Sequence, residues 1–180
     1  MFSVSNFESR NRNAFIKLID EFNLDFSGLD GDLTVKLSDL TMFAKSDVTK
    51  GYLVAQNINF QNIDHVFSSF TQLLGKSNVK TFRNALGQHF MRTYQRNVDE
   101  NVSTIDEIIK SAYIAVEKRN KIVHQNYKEI ETDDAIKEIV ALIDLSLLIT
   151  ELSAQNVDSF ESPKRPRTLP YSRIDTLMDS

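Results

Sequence analysis

Residues Ser103–His124 read STIDEIIKSAYIAVEKRNKIVH, and this stretch decides the fold class. Thr104 and Glu107 stand at capping-box spacing, where the hydroxyl and the carboxylate each satisfy an early backbone amide. Ile105, Ile108, Ile109, Ala112, Tyr113 and Val116 then recur at helical intervals, a pattern a half-buried strand would not produce. Carrying the same projection forward puts Arg119 and Asn120 inside the apolar arc. Val123 returns to its centre, and His124 falls at its edge, one turn beyond Asn120. A guanidinium, an amide and an imidazole are therefore expected on the core-facing side of a helix end. Polar groups buried without partners are costly, and an unpaired buried charge costs more. Two readings follow. Arg119 bonds an acid or the last-turn carbonyls while His124 caps the helix, or these groups line a cleft where a ligand supplies the partners.

Working outward, the next helix is expected to start near Thr132, with Asp133 and Asp134 at the positive end of its dipole. It runs to about Leu152 and carries two apolar faces. Ile136, Ile139, Val140, Ile143 and Leu147 form one stripe; Leu142, Leu145, Ile149 and Leu152 lie opposite. A helix apolar all round is either central in a bundle or a seam between subunits.

Upstream, Phe7, Ala14, Phe15, Leu18, Ile19 and Phe22 predict a helix over 7–23, followed by a turn at 26–31. Residues 33–55 are ambiguous, with Leu33, Leu37, Leu40, Met42 and Phe43 suggesting a helix. Ile63, Val66, Phe67, Phe70, Leu73 and Leu74 predict a helix stopped by Gly75, and a shorter one follows over 79–90. All three prolines lie at or beyond Pro163. Proline costs roughly 3 kcal/mol inside a helix, so a proline-free body suits an all-α bundle of about five to six helices over residues 1–160. Residues 161–180 read as a tail with Lys164, Arg165, Arg167 and Arg173, expected to be solvated or to touch RNA or a partner.

Composition narrows the function classes. With 41% apolar and 26% charged residues in 180, the chain reads as one soluble globular domain. It has no apolar run long enough to span a bilayer and no secretory-type start, so a cytoplasmic location is expected. The absence of cysteine removes thiolate nucleophiles, disulfides and thiolate-bound zinc. A net charge of −4 argues against coating nucleic acid with the whole surface but leaves room for a local phosphate site. His65 and His89 are isolated and share no ligand spacing, with His65 expected on the surface of an amphipathic helix, so no metal or other cofactor is expected. No phosphate-cradling glycine loop, nucleophile elbow or HExxH motif is present.

The RNKIVH stretch, at the end of one amphipathic helix and ahead of another long one, resembles the signature of the HEPN superfamily. That signature is an arginine, a polar residue, and a histidine after four to six intervening residues; here Arg119, Asn120 and His124 fill it. The resemblance implies an all-α HEPN-like bundle, concentrated over residues 104–152, that acts as a metal-independent endoribonuclease. It also implies a homodimer in which two motifs face one cleft. His124 would exchange a proton with the ribose 2′-OH or the leaving oxygen, its unperturbed pKa being near ~6.5. Arg119 would bind the phosphate as charge builds, and Asn120 would orient the histidine or donate to the phosphate. Attack by the 2′-OH would leave a 2′,3′-cyclic phosphate.

Lys118, Lys121 and Lys128 would steer RNA, with Arg92 and Arg96 upstream, or simply lie on a solvated face; Tyr127 would pack or stack. Some family members are toxins or phage-defence effectors held by an antitoxin or another regulatory protein, so such a partner is implied alongside RNA. A HEPN-like module that binds RNA or protein without cleaving it is the alternative. An unrelated helical interaction domain is a third.

Overall fold

The computed structural model describes residues 2–22, 24, 37–45, 48–94, 104–125 and 132–156. These form seven α-helices: α1 (Phe2–Asp20), α2 (Leu37–Ala44), α3 (Lys50–Ala55), α4 (Ile63–Leu73), α5 (Val79–Thr93), α6 (Ile105–Gln125) and α7 (Thr132–Gln155). No strand occurs among the described residues, so the all-α class expected from the sequence holds. The C-terminal tail expected over 161–180 lies outside them.

α7 is the central element, packing on α6, α1 and α5. From Ala141 onward it is buried on nearly every side: Leu142, Leu145, Leu148 and Ile149 are inaccessible to solvent. The two apolar faces resolve unequally. The Leu142–Leu152 face is core, whereas the other stripe is half-buried at Val140, Ile143 and Leu147 and exposed at Ile136 and Ile139.

Phenylalanines build the other half of the core. Phe15 of α1 meets Phe60 and Phe70 edge-on, each at a centroid distance of 5.7 Å, and Phe82 of α5 packs on both Phe67 and Phe70. Each ring buried in this way contributes on the order of 2–3 kcal/mol from lost water contact. Among the described residues no helix is long and apolar enough to cross a membrane.

Local chemistry sets the boundaries. Gly75 ends α4 with φ of 62°, while Lys76 N–H reaches Thr71 O at 2.9 Å and Gly75 N–H reaches Gln72 O at 3.0 Å. That is the paired closure of a Schellman ending, which needs a left-handed residue. Asn62 and Asn78 cap the starts of α4 and α5. The helix expected over 7–23 starts earlier, because Val4 joins Phe7 on the buried face, and ends at Asp20. The ambiguous 33–55 segment contains two short helices, the second beginning where Thr49 accepts a hydrogen bond from Tyr52 N–H at 3.2 Å.

α3 lies hard against α1. Gly51 N–H donates to Asp20 Oδ1 at 2.8 Å, and a Cβ at residue 51 would sit 2.6 Å from the Ile16 carbonyl oxygen. Backbone cannot yield as a flexible side chain does, so Gly51→Ala should cost about 1–3 kcal/mol and lower Tm by several degrees in a thermal melt.

Candidate active site

The capping box at the start of α6 forms as its spacing implies. Thr104 N–H donates to Glu107 Oε2 at 2.6 Å, and Glu107 N–H to Thr104 Oγ1 at 3.3 Å. From that start the helix runs unbroken to Gln125, so the whole motif is helical. Asn120 and His124 are therefore one turn apart in one row, a spacing of about 5–6 Å between Cβ atoms. The His124 side chain, together with Tyr127 and Lys128, lies outside the described residues.

Arg119 is half-buried and its Nη1 donates to Asn120 Oδ1 at 3.0 Å, while Asn120 is exposed. The expectation that both sit on the core-facing side needs correcting. The apolar arc of α6 outruns the core: Ala115 is its last buried residue, and Val123 is 40% exposed. On the facing helix Ile136 is 60% exposed. Toward this end of the α6–α7 hairpin the stripe continues in sequence but loses its cover. The guanidinium thus needs no buried counter-charge. Among the described residues its one side-chain partner is the Asn120 amide.

The lysines divide. Lys118 Nζ donates to Glu138 Oε1 at 2.6 Å, and the Glu138 side chain is 10% exposed, so this pair bolts α6 to α7 just below the motif. Lys121 pairs with Glu117 at 2.8 Å on the solvated face, where that hydrogen bond and the ammonium charge lower the Glu117 pKa. Neither lysine is uncommitted. Midway along α6, Tyr113 donates to the Asp64 carboxylate of α4. Burial, then Asp64, pushes its phenol well above the ordinary tyrosine range, so it remains a neutral donor.

His65 is exposed in the first turn of α4, as expected. His89 is not isolated. It is buried between α5 and α7, with Nε2 3.2 Å from Glu151 Oε2 and Nδ1 3.3 Å from Thr93 Oγ1. Tyr94 donates to the same Glu151 oxygen. Sequence reading missed this cluster because Glu151 lies 62 residues away and only the fold brings it in. Among the described residues no group of three or more His, Asp or Glu side chains could hold a metal ion.

Comparison with protein-family models, curated proteins and solved structures finds no match for this chain.

The Lys118–Glu138 pair is partly buried and charge-assisted, so Glu138→Ala should destabilise the fold by about 1–2 kcal/mol. A urea titration would register this as a lower midpoint with an unchanged slope.

Proposed function

We propose that the chain is a HEPN-type endoribonuclease acting through Arg119, Asn120 and His124. One observation carries the reading. The Arg119 guanidinium sits at an accessible helix end, bonded to Asn120 and to no acid among the described residues, one helical turn from the position of His124. A guanidinium that meets no acid among the described residues suits the phosphate oxygens on which negative charge accumulates as the ribose 2′-OH attacks phosphorus. The histidine moves the proton, either from the 2′-hydroxyl or to the departing 5′-oxygen. The Asn120 amide, already accepting from Arg119, keeps its two N–H groups for the phosphate or the imidazole.

The test is incubation of labelled RNA and matched DNA with purified protein in excess chelator. Cleavage of RNA alone, ending in 2′,3′-cyclic phosphate, is expected. His124→Ala and Arg119→Ala should each lower the rate by about 10²–10⁴, with the helical circular-dichroism signal retained. RNA binding without cleavage by the folded wild type would instead indicate the non-catalytic module.

The exposed Ile136 and Ile139 of α7, the helix packed on α6, together with the exposed Val123 of α6 favour a homodimer whose seam borders the site. Ile136→Asp with Ile139→Asp would place charges in that seam. The double variant should sediment as a folded monomer and lose cleavage, while wild type sediments as a dimer.

A further inference from the structure

An open groove of about 740 Å³ runs between α5 and the start of α6. Its rim carries Lys80, Arg83 and Arg92 against a single carboxylate, Asp106. Lys80 and Arg92 make no hydrogen bond or ion pair among the described residues. Arg83 faces Asp106 only at 3.9 Å, with both groups well exposed, a separation worth little in water. The amides of Asn84 and Gln88 line the same groove, and Met91, 56% exposed, offers an apolar surface at one end. At Gly87 the helix presents no side chain, which keeps the groove open over Ile105.

Three cations and two amides around one concavity complement a chain of phosphates, within a protein whose net charge is −4. The helical register of α6 supplies the direction. Asp106, Tyr113, Glu117, Asn120 and position 124 fall in one row, so the groove opens on the side of α6 that carries Asn120 and position 124, with Arg119 about 140° further round the helix. At 1.5 Å per residue the two are about 21 Å apart along the axis. Beyond Asp106, two carboxylates on this path are engaged, Asp64 by Tyr113 and Glu117 by Lys121.

We propose that the α5–α6 groove is the substrate-strand site: it holds the backbone phosphates of single-stranded RNA through Lys80, Arg83 and Arg92, a few nucleotides from the bond cut at the motif. This rests on the ribonuclease reading for the identity of the strand, while the groove's own chemistry fixes only that it bears phosphates. Contacts to phosphate set register and affinity and carry no base preference. Binding should therefore be tight only for strands long enough to reach both places.

The experiment measures binding of fluorescent single-stranded RNA by anisotropy across a salt series. The full chain carries His124→Ala throughout, so the RNA stays whole. One protein adds Lys80→Gln, Arg83→Gln and Arg92→Gln. A control of equal charge change adds Lys17→Gln, Lys45→Gln and Lys50→Gln, all outside the groove. The groove variant is expected to bind at least tenfold more weakly, with the slope of log K against log salt shallower by about 2. The control should stay within about twofold of the parent.

Equal losses in both variants, no loss in either, or no RNA binding by the parent would overturn the groove site. Cleavage is scored separately on proteins with His124 intact. A wild type that cuts RNA while the groove variant binds normally removes the groove and leaves the nuclease. Groove-dependent binding by a wild type that cannot cut does the reverse.

Discussion

The burial of α7 among α1, α5 and α6 is the constraint on which the rest depends. A helix with apolar residues on every side has no stable existence in water, so its neighbours are fixed by the need to cover it. α1 and α6 supply most of the cover, and the phenylalanine cluster locks α1, α4 and α5 around the remaining side. That enclosure begins only at about Ala141. The earlier turns of α7, and the last turns of α6 that run beside them, are helical without being enclosed. The candidate site lies where helix formation continues after core packing has stopped.

This arrangement reconciles two demands. A phosphate-binding guanidinium must be accessible, yet it must be held to a small volume to act in a transition state. Anchoring is supplied one residue before the motif by Lys118 and Glu138, whose contact ties the two helices where the apolar cover thins. Arg119 then projects from a fixed backbone, and its bond to Asn120 restricts the fork further. The lysine that the sequence offered as an RNA contact is, in the fold, part of this clamp. Its charge is answered from within the protein, whereas Arg119 finds no acid among the described residues.

How much of this was legible in the sequence depends on the range of the interactions involved. The capping box of α6, the glycine stop of α4 and the helical stripes are local; the first two form where expected, and the helix expected over 7–23 is present but shifted to Phe2–Asp20. The all-α class followed from them. The depth of the core did not, because projecting a stripe around a helix says nothing about where the neighbouring helices end. Arg119 and Asn120 were therefore placed in the right azimuth and at the wrong depth. His89 failed for a related reason: its partner Glu151 comes from another helix, and no spacing along the chain announces it. The segment over 33–55 was only partly legible, because its two helices, Leu37–Ala44 and Lys50–Ala55, are too short to show a sustained period.

Charge follows the same logic of place over total. A net charge of −4 describes a molecule that would repel a polyanion at long range. At distances beyond about 8 Å in physiological salt that average is screened, and the local arrangement governs. Glu117 on α6 is answered by an ammonium and Asp64 on α4 by a phenol, while Lys80 and Arg92 on α5 have no acid partner among the described residues. A strand meeting the groove would find Lys80 and Arg92 without an acid partner among the described residues, with Glu117 and Asp64 further along already hydrogen-bonded within the protein. Protein-wide acidity and a phosphate-binding groove are compatible because Lys80, Arg83 and Arg92 gather around one concavity, where they set the local field whatever the total charge.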